Sequence, residues 1–135
     1  MSAAKPTLEQ RRIAEDLSRQ YGIAPDDVHF FKPDEAWLGA DALMQIARNH
    51  PNIETITESF DQFIQPLNQV VHAALVSLKD GRAFQRTGIA KVEETVSGEK
   101  FDGHFLASSR AITSALNAAR LFGWISASLS QDFVG

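Results

Sequence analysis

Apolar residues recur at helical spacing in the first stretch of the chain. Ile13, Leu17 and Tyr21 fall on one face, Thr7 with Gln10 forms a capping-box pattern, and Gly22 supplies a stop. A second helix is predicted over about 39–49, with Leu43, Ile46 and Ala47 facing inward. It ends near His50 because Pro51 disfavours helical geometry in the residue before it. Between the two, "IAPDDVHFFKPDEAW" carries two prolines and two acidic pairs and reads as a connector, pinned to the core by Phe30, Phe31 and Trp37.

From residue 53 the period shortens. "IETITESFDQFI" is β-branched and aromatic, and strand alternation puts Ile56, Phe60 and Ile64 on one face with Glu58 and Gln62. "PLN" turns the chain. "QVVHAALVSL" is apolar on both faces, the pattern of a central strand covered on both sides or buried by an oligomer contact. Asp80-Gly81 suits a two-residue type I′ turn. "RAFQRTGIAKVEE" is the return strand, with Phe84, Arg86, Ala90 and Val92 on one face and Gln85, Thr87, Lys91 and Glu93 on the other. "TVSGEKFDG" reads as a loop. The last helix spans about 105–122, buries Ile112, Ala115, Leu116, Ala119 and Phe122, and stops at Gly123. Its alanines and serines imply close approach to a flat surface, most simply a sheet.

The order α, α, β, β, β, α predicts an α+β fold: an antiparallel three-stranded meander packed by a long C-terminal helix, with two N-terminal helices. By length, 1–135 is a single domain. Within it, 1–37 is the N-terminal helix and connector, 38–123 the core and 124–135 a tail.

Charge alters this picture more than composition does. The net charge is −4, which argues against indiscriminate nucleic-acid binding. Yet charge is unevenly placed, for residues 21–69 hold Asp26, Asp27, Asp34, Glu35, Asp41, Glu54, Glu58 and Asp61 against Lys32 and Arg48 only. The remainder from 70 onward is slightly positive. The absence of cysteine excludes disulfides and thiolate metal sites, and a reducing, cytoplasmic setting is expected. No apolar leader or bilayer-length apolar run is present, so neither secretion nor membrane spanning is expected.

Catalytic signatures are absent. His29, His50, His72 and His104 fall in four different predicted elements, in no metal-ligand spacing. Glu93 and Glu94 are adjacent on a strand and point to opposite faces, so they do not share a metal or a proton. Asp34 and Glu35 read as charge at a helix N-terminus. No phosphate-binding loop or dinucleotide fingerprint occurs, and Ser108-Ser109 lacks a nucleophile-elbow context. The sequence does not look like that of an enzyme, and it calls for no cofactor and no metal.

What stands out is the predicted hairpin. Lys79 and Arg82 flank its turn, while Arg86 and Lys91 follow on the return strand. Arg82, Phe84 and Arg86 are expected to project from one side as a ridge that neutralises phosphates. The ordinary alternative is that hairpin tips and strand edges are charged to deter aggregation. A nucleic-acid role requires Arg82 and Arg86 to face a cleft and to escape neutralisation by the chain's own carboxylates.

The stretches "LGADALMQIARN", "VVHAALVSLKDGRAFQRTGIAKVEE" and "SSRAITSALNAARLFG" resemble, in the same order, the annealing domain of the Rad fifty-two family of homologous-recombination proteins. The likeness covers 38–123 and rests on the spacing of "LKDG" to "TGIA" and to the "ALNAARLFG" helix. It implies a β-β-β-α fold assembling side by side into a homo-oligomeric ring. It implies single-stranded DNA in a positive groove between hairpin and helix, annealed without nucleotide hydrolysis in recombination or repair. The residues it assigns to DNA are Lys79, Arg82, Arg86, Lys91, Arg110 and Arg120. The chain departs from the family where that helix ends: Asn117 and Ala118 stand where basic residues are expected. Two further readings stay open. One is an oligomerising protein-interaction module of the same fold without nucleic-acid binding. The other is a double-stranded RNA-binding-like module, disfavoured by the acidic balance.

Overall fold

Helix α1, Leu8–Tyr21, begins where its cap dictates: Thr7 accepts from the Gln10 N–H at 3.1 Å, and the Gln10 side chain returns the bond to the Thr7 N–H at 2.9 Å. Gly22 closes it in the left-handed conformation. The structure, a computed structural model, describes residues 6–32, 35–96, 98–123 and 125. The chain then continues as β1 Val28–Lys32, β2 Glu35–Leu38, α2 Ala40–Arg48, β3 Ile53–Ile64, β4 Gln69–Leu78, β5 Ala83–Lys91, β6 Glu93–Val96, β7 Glu99–Asp102 and α3 Gly103–Ala119.

The α+β architecture is as the pattern predicts. Strands β3, β4 and β5 form an antiparallel meander in that order, and α3 lies across one face of it. β4 is central, and Val70, His72, Ala74, Val76 and Leu78 turn its buried face to the helix layer. Its other face is only partly covered among the described residues: Val71 is buried, but Leu75 is exposed, and so are Thr55, Thr57 and Ser59 beside it on β3.

Two glycines let α3 sit this close. A Cβ on Gly88 would stand 2.3 Å from the Ala107 carbonyl oxygen and 2.4 Å from the Ala111 nitrogen; one on Gly103 would stand 2.1 Å from the Lys91 carbonyl oxygen. Helix α3 is buried almost all round, including Ser108, Ser109, Thr113 and Ser114, and the Ser109 hydroxyl donates to the Leu38 carbonyl at 2.8 Å. Leu106, Ile112 and Leu116 are fully buried, each contributing roughly 1.5–3 kcal/mol. The main core joins α1, α2, α3, β3 and β4; a second cluster around Trp37, Val70, Ala90, Val96 and Leu106 is capped by Phe101 and Phe105.

Several expectations need correction. The connector contains the β1–β2 hairpin, and Glu35 opens β2 and caps no helix; Asp34 lies outside the described residues. The "TVSGEKFDG" loop is largely the β6–β7 hairpin, and β5 ends at Lys91, short of Glu94. A bulge between Phe60 and Gln62 rotates the rest of β3, so Ile64 and Gln62 leave the face of Ile56, Glu58 and Phe60. The hairpin turn is a three-residue loop. Gly81 N–H donates to Leu78 O at 3.0 Å, Leu78 N–H to Arg82 O at 2.8 Å, and only Gly81 has positive φ, at 94°. Finally, α3 ends at Ala119 because Arg120 takes φ 56°, which places Phe122 and Gly123 beyond the helix.

Candidate nucleic-acid interface

The turn between β4 and β5 is anchored by backbone. Lys79 N–H donates to Asn52 O at 3.0 Å, tying the turn to the start of β3. Beside it lies a cleft of about 390 Å³ lined by Asn52, Leu78, Lys79, Asp80, Arg82 and Leu121. Thus the segment leaving α3 meets the hairpin tip: Leu121, next to the exposed Arg120, lines the cleft with Lys79 and Arg82.

Arg82 is not free. Its backbone N–H donates to Asp80 Oδ1 at 3.0 Å and its Nε–H to Asp80 Oδ2 at 2.8 Å. These bonds hold the Asp80 carboxyl below its ordinary pKa, the Arg82 backbone bond first and its side chain next. The pair is fully open to water. Arg86 sits opposite Ala74, on the helix-facing side of β5, with Phe84 opposite Val76 on the same side. Its guanidinium donates to the Gln85 carbonyl at 2.8 Å and pairs with no carboxylate among the described residues. Arg86 is four residues from Arg82, roughly 13 Å along a strand.

The other two expected contacts lie elsewhere. Lys91 is exposed at the opposite end of β5, nine residues from Arg82 or roughly 30 Å. Arg110 is a correction. It is 3% exposed, donates to the Ile89 carbonyl at 2.8 Å and to Glu94 Oε2 at 2.5 Å, and fastens β6 to α3. Its guanidinium is closed to solvent. Burial would push the Glu94 carboxyl up, but the Arg110 guanidinium and the Lys91 N–H outweigh it and hold it below its ordinary pKa. Glu93 turns the other way, towards Lys100 at 3.7 Å, as alternation requires.

A second constellation was not visible in the sequence. His72 on β4 donates through Nδ1 to the Glu58 carboxylate on β3, and its Nε2 meets His104 Nδ1 at 2.9 Å. Phe60 packs against both rings at 5.6 and 5.5 Å. The histidines come from different elements, and only sheet register and helix placement unite them; the one sequence signal was a histidine inside an apolar strand. Among the described residues, no group of three or more histidines and carboxylates is arranged to hold a metal ion. No described helix is long and apolar enough to cross a membrane.

Comparison with known proteins finds no matching family model, no matching curated protein and no matching solved structure.

Proposed function

We propose that this chain binds single-stranded DNA through its phosphates along the end of the β4–β5 hairpin and the terminus of α3. It brings complementary strands together in recombination or repair, with no hydrolytic step. The observation that carries this reading is the cleft that Lys79 and Arg82 line together with Leu121, the neighbour of Arg120, with Arg86 further along β5 and paired with no carboxylate among the described residues. Such contacts hold a backbone without reading sequence, which leaves base edges free to pair.

The condition set from the sequence is not met in full, because Asp80 pairs with Arg82 and Arg86 does not line the cleft; the reading rests on how weak that exposed pair is. An exposed pair is worth about 0–1 kcal/mol, and the terminal guanidinium nitrogens keep donors for a phosphate. Four cations per chain make a short track, so side-by-side assembly, which pools the tracks of neighbouring copies, belongs to the proposal. The exposed Leu75 on the outer face of the sheet and the exposed Phe60, Phe63 and Leu67 favour a second reading, an oligomerising or partner-binding module without nucleic acid.

A salt titration of a fluorescent single-stranded oligonucleotide separates the two. The DNA reading expects log affinity to fall with log salt by about 0.7 per phosphate contact, and Arg82→Ala with Arg86→Ala to flatten that slope by about 1.4. Undetectable binding at low salt, with an intact oligomer in sedimentation, sinks it in favour of the assembly module. Stronger competition by duplex RNA than by single strands also overturns it.

A further inference from the structure

Among the described residues β3 is an edge strand: it pairs with β4 alone, and no backbone group of Thr55–Phe60 forms a hydrogen bond away from β4. The opposite edge differs. Two outward carbonyls of β5, at Gln85 and Ile89, are occupied by the guanidinium groups of Arg86 and Arg110.

An unpaired edge is a template for another strand unless lysines or proline blunt it. β3 contains neither lysine, arginine nor proline. Bulges between Ile53 and Thr55 and between Phe60 and Gln62 bound a regular stretch, Thr55–Phe60. Exposed Glu54 and Asp61 stand at its two ends. Phe60 and Phe63, 51% and 46% exposed, offer apolar surface beside it.

We propose that the β3 edge docks an extended segment of a partner protein, basic and apolar residues alternating, which joins the sheet as a fourth strand. Main-chain bonds supply the affinity, and the carboxylates select for lysine or arginine. A second copy pairing through the same edge would set Glu54 and Asp61 against their own counterparts, and like charges across a strand pair are destabilising. The β5 edge of a second copy already has two of its outward carbonyls taken, at Gln85 and Ile89. A nucleic-acid strand is repelled by the same carboxylates.

The probe is a short synthetic peptide alternating lysine with valine, compared with its glutamate–valine counterpart, on the full chain. Hydrogen exchange resolved by residue reads the result. The outward amides of Thr55–Phe60 exchange freely in the unliganded chain and slow by about tenfold or more with the lysine peptide, not with the glutamate peptide. Glu54→Lys with Asp61→Lys, both on the surface, reverses the preference between peptides. Absent protection, or protection centred on β5, overturns the proposal. So does protection without peptide that tracks dimerisation in sedimentation, or protection by a single-stranded oligonucleotide.

Discussion

At the scale of single residues, identical side chains meet different fates. Arg82, Arg86 and Arg110 read alike in sequence, yet one is held by a neighbour, one is free of carboxylates and one is buried. Asp80, two positions from Arg82, was legible as a partner for it. Glu94, sixteen positions from Arg110, was not, because only the packing of β6 on α3 brings them together. The DNA proposal makes Asp80 an internal competitor for a phosphate. Asp80→Asn keeps an oxygen to accept the Arg82 N–H but removes the charge. Single-strand affinity should therefore rise, by about two- to fivefold at low salt, an exposed pair being worth under about 1 kcal/mol. Anisotropy of the variant checks it, and an unchanged or weaker affinity at low salt counts against Arg82 as a phosphate contact.

At the scale of elements, the long ones were legible because cap, period and stop agree: α1 with its Thr7 box, α2 ending at Pro51, and β4 with two apolar faces. The short hairpins were not. β1–β2 and β6–β7 are made of four- and five-residue strands whose prolines, glycines and charges resemble loop composition, and pairing across the hairpin decides their state. Gly88 illustrates the reverse, a residue noticed in "TGIA" whose reason appears only in three dimensions. Its missing Cβ admits the α3 backbone, which cannot yield as a flexible side chain would. Gly88→Ala should cost about 3 kcal/mol or more, at or beyond the top of the usual overpacking range. Urea denaturation measures it. A loss below about 1 kcal/mol would mean that α3 can slide away from β5.

At the scale of the molecule, the two apolar clusters carry different titratable groups, which was not legible because it depends on what the unrecognised hairpins bury. The cluster around Trp37 holds His29, stacked on Trp37 at 4.6 Å and edge-on to Phe101 and Phe105. Burial lowers the His29 pKa, and the charges of Glu99 and Asp27 only partly offset it. The unfolded chain therefore binds this proton more readily than the folded one, so stability rises with pH across the interval. Acidification below about 6.5, the unperturbed histidine value, protonates His29 in the unfolded chain first and so drains stability until the lowered pKa of the folded chain is reached. Further acidification through the lowered pKa of Glu94 removes its bond to Arg110, again with stability falling as protons are added. Both groups lie where β1–β2 and β6–β7 meet α3, whereas β4 runs through the main core. Hydrogen exchange at falling pH, corrected for intrinsic rates, should show protection lost first in those hairpins and later in β4. His29→Phe should delete the upper step and leave the lower one in place. Simultaneous loss throughout, or an upper step that survives the substitution, would place the acid-sensitive group in the main core and not in this cluster.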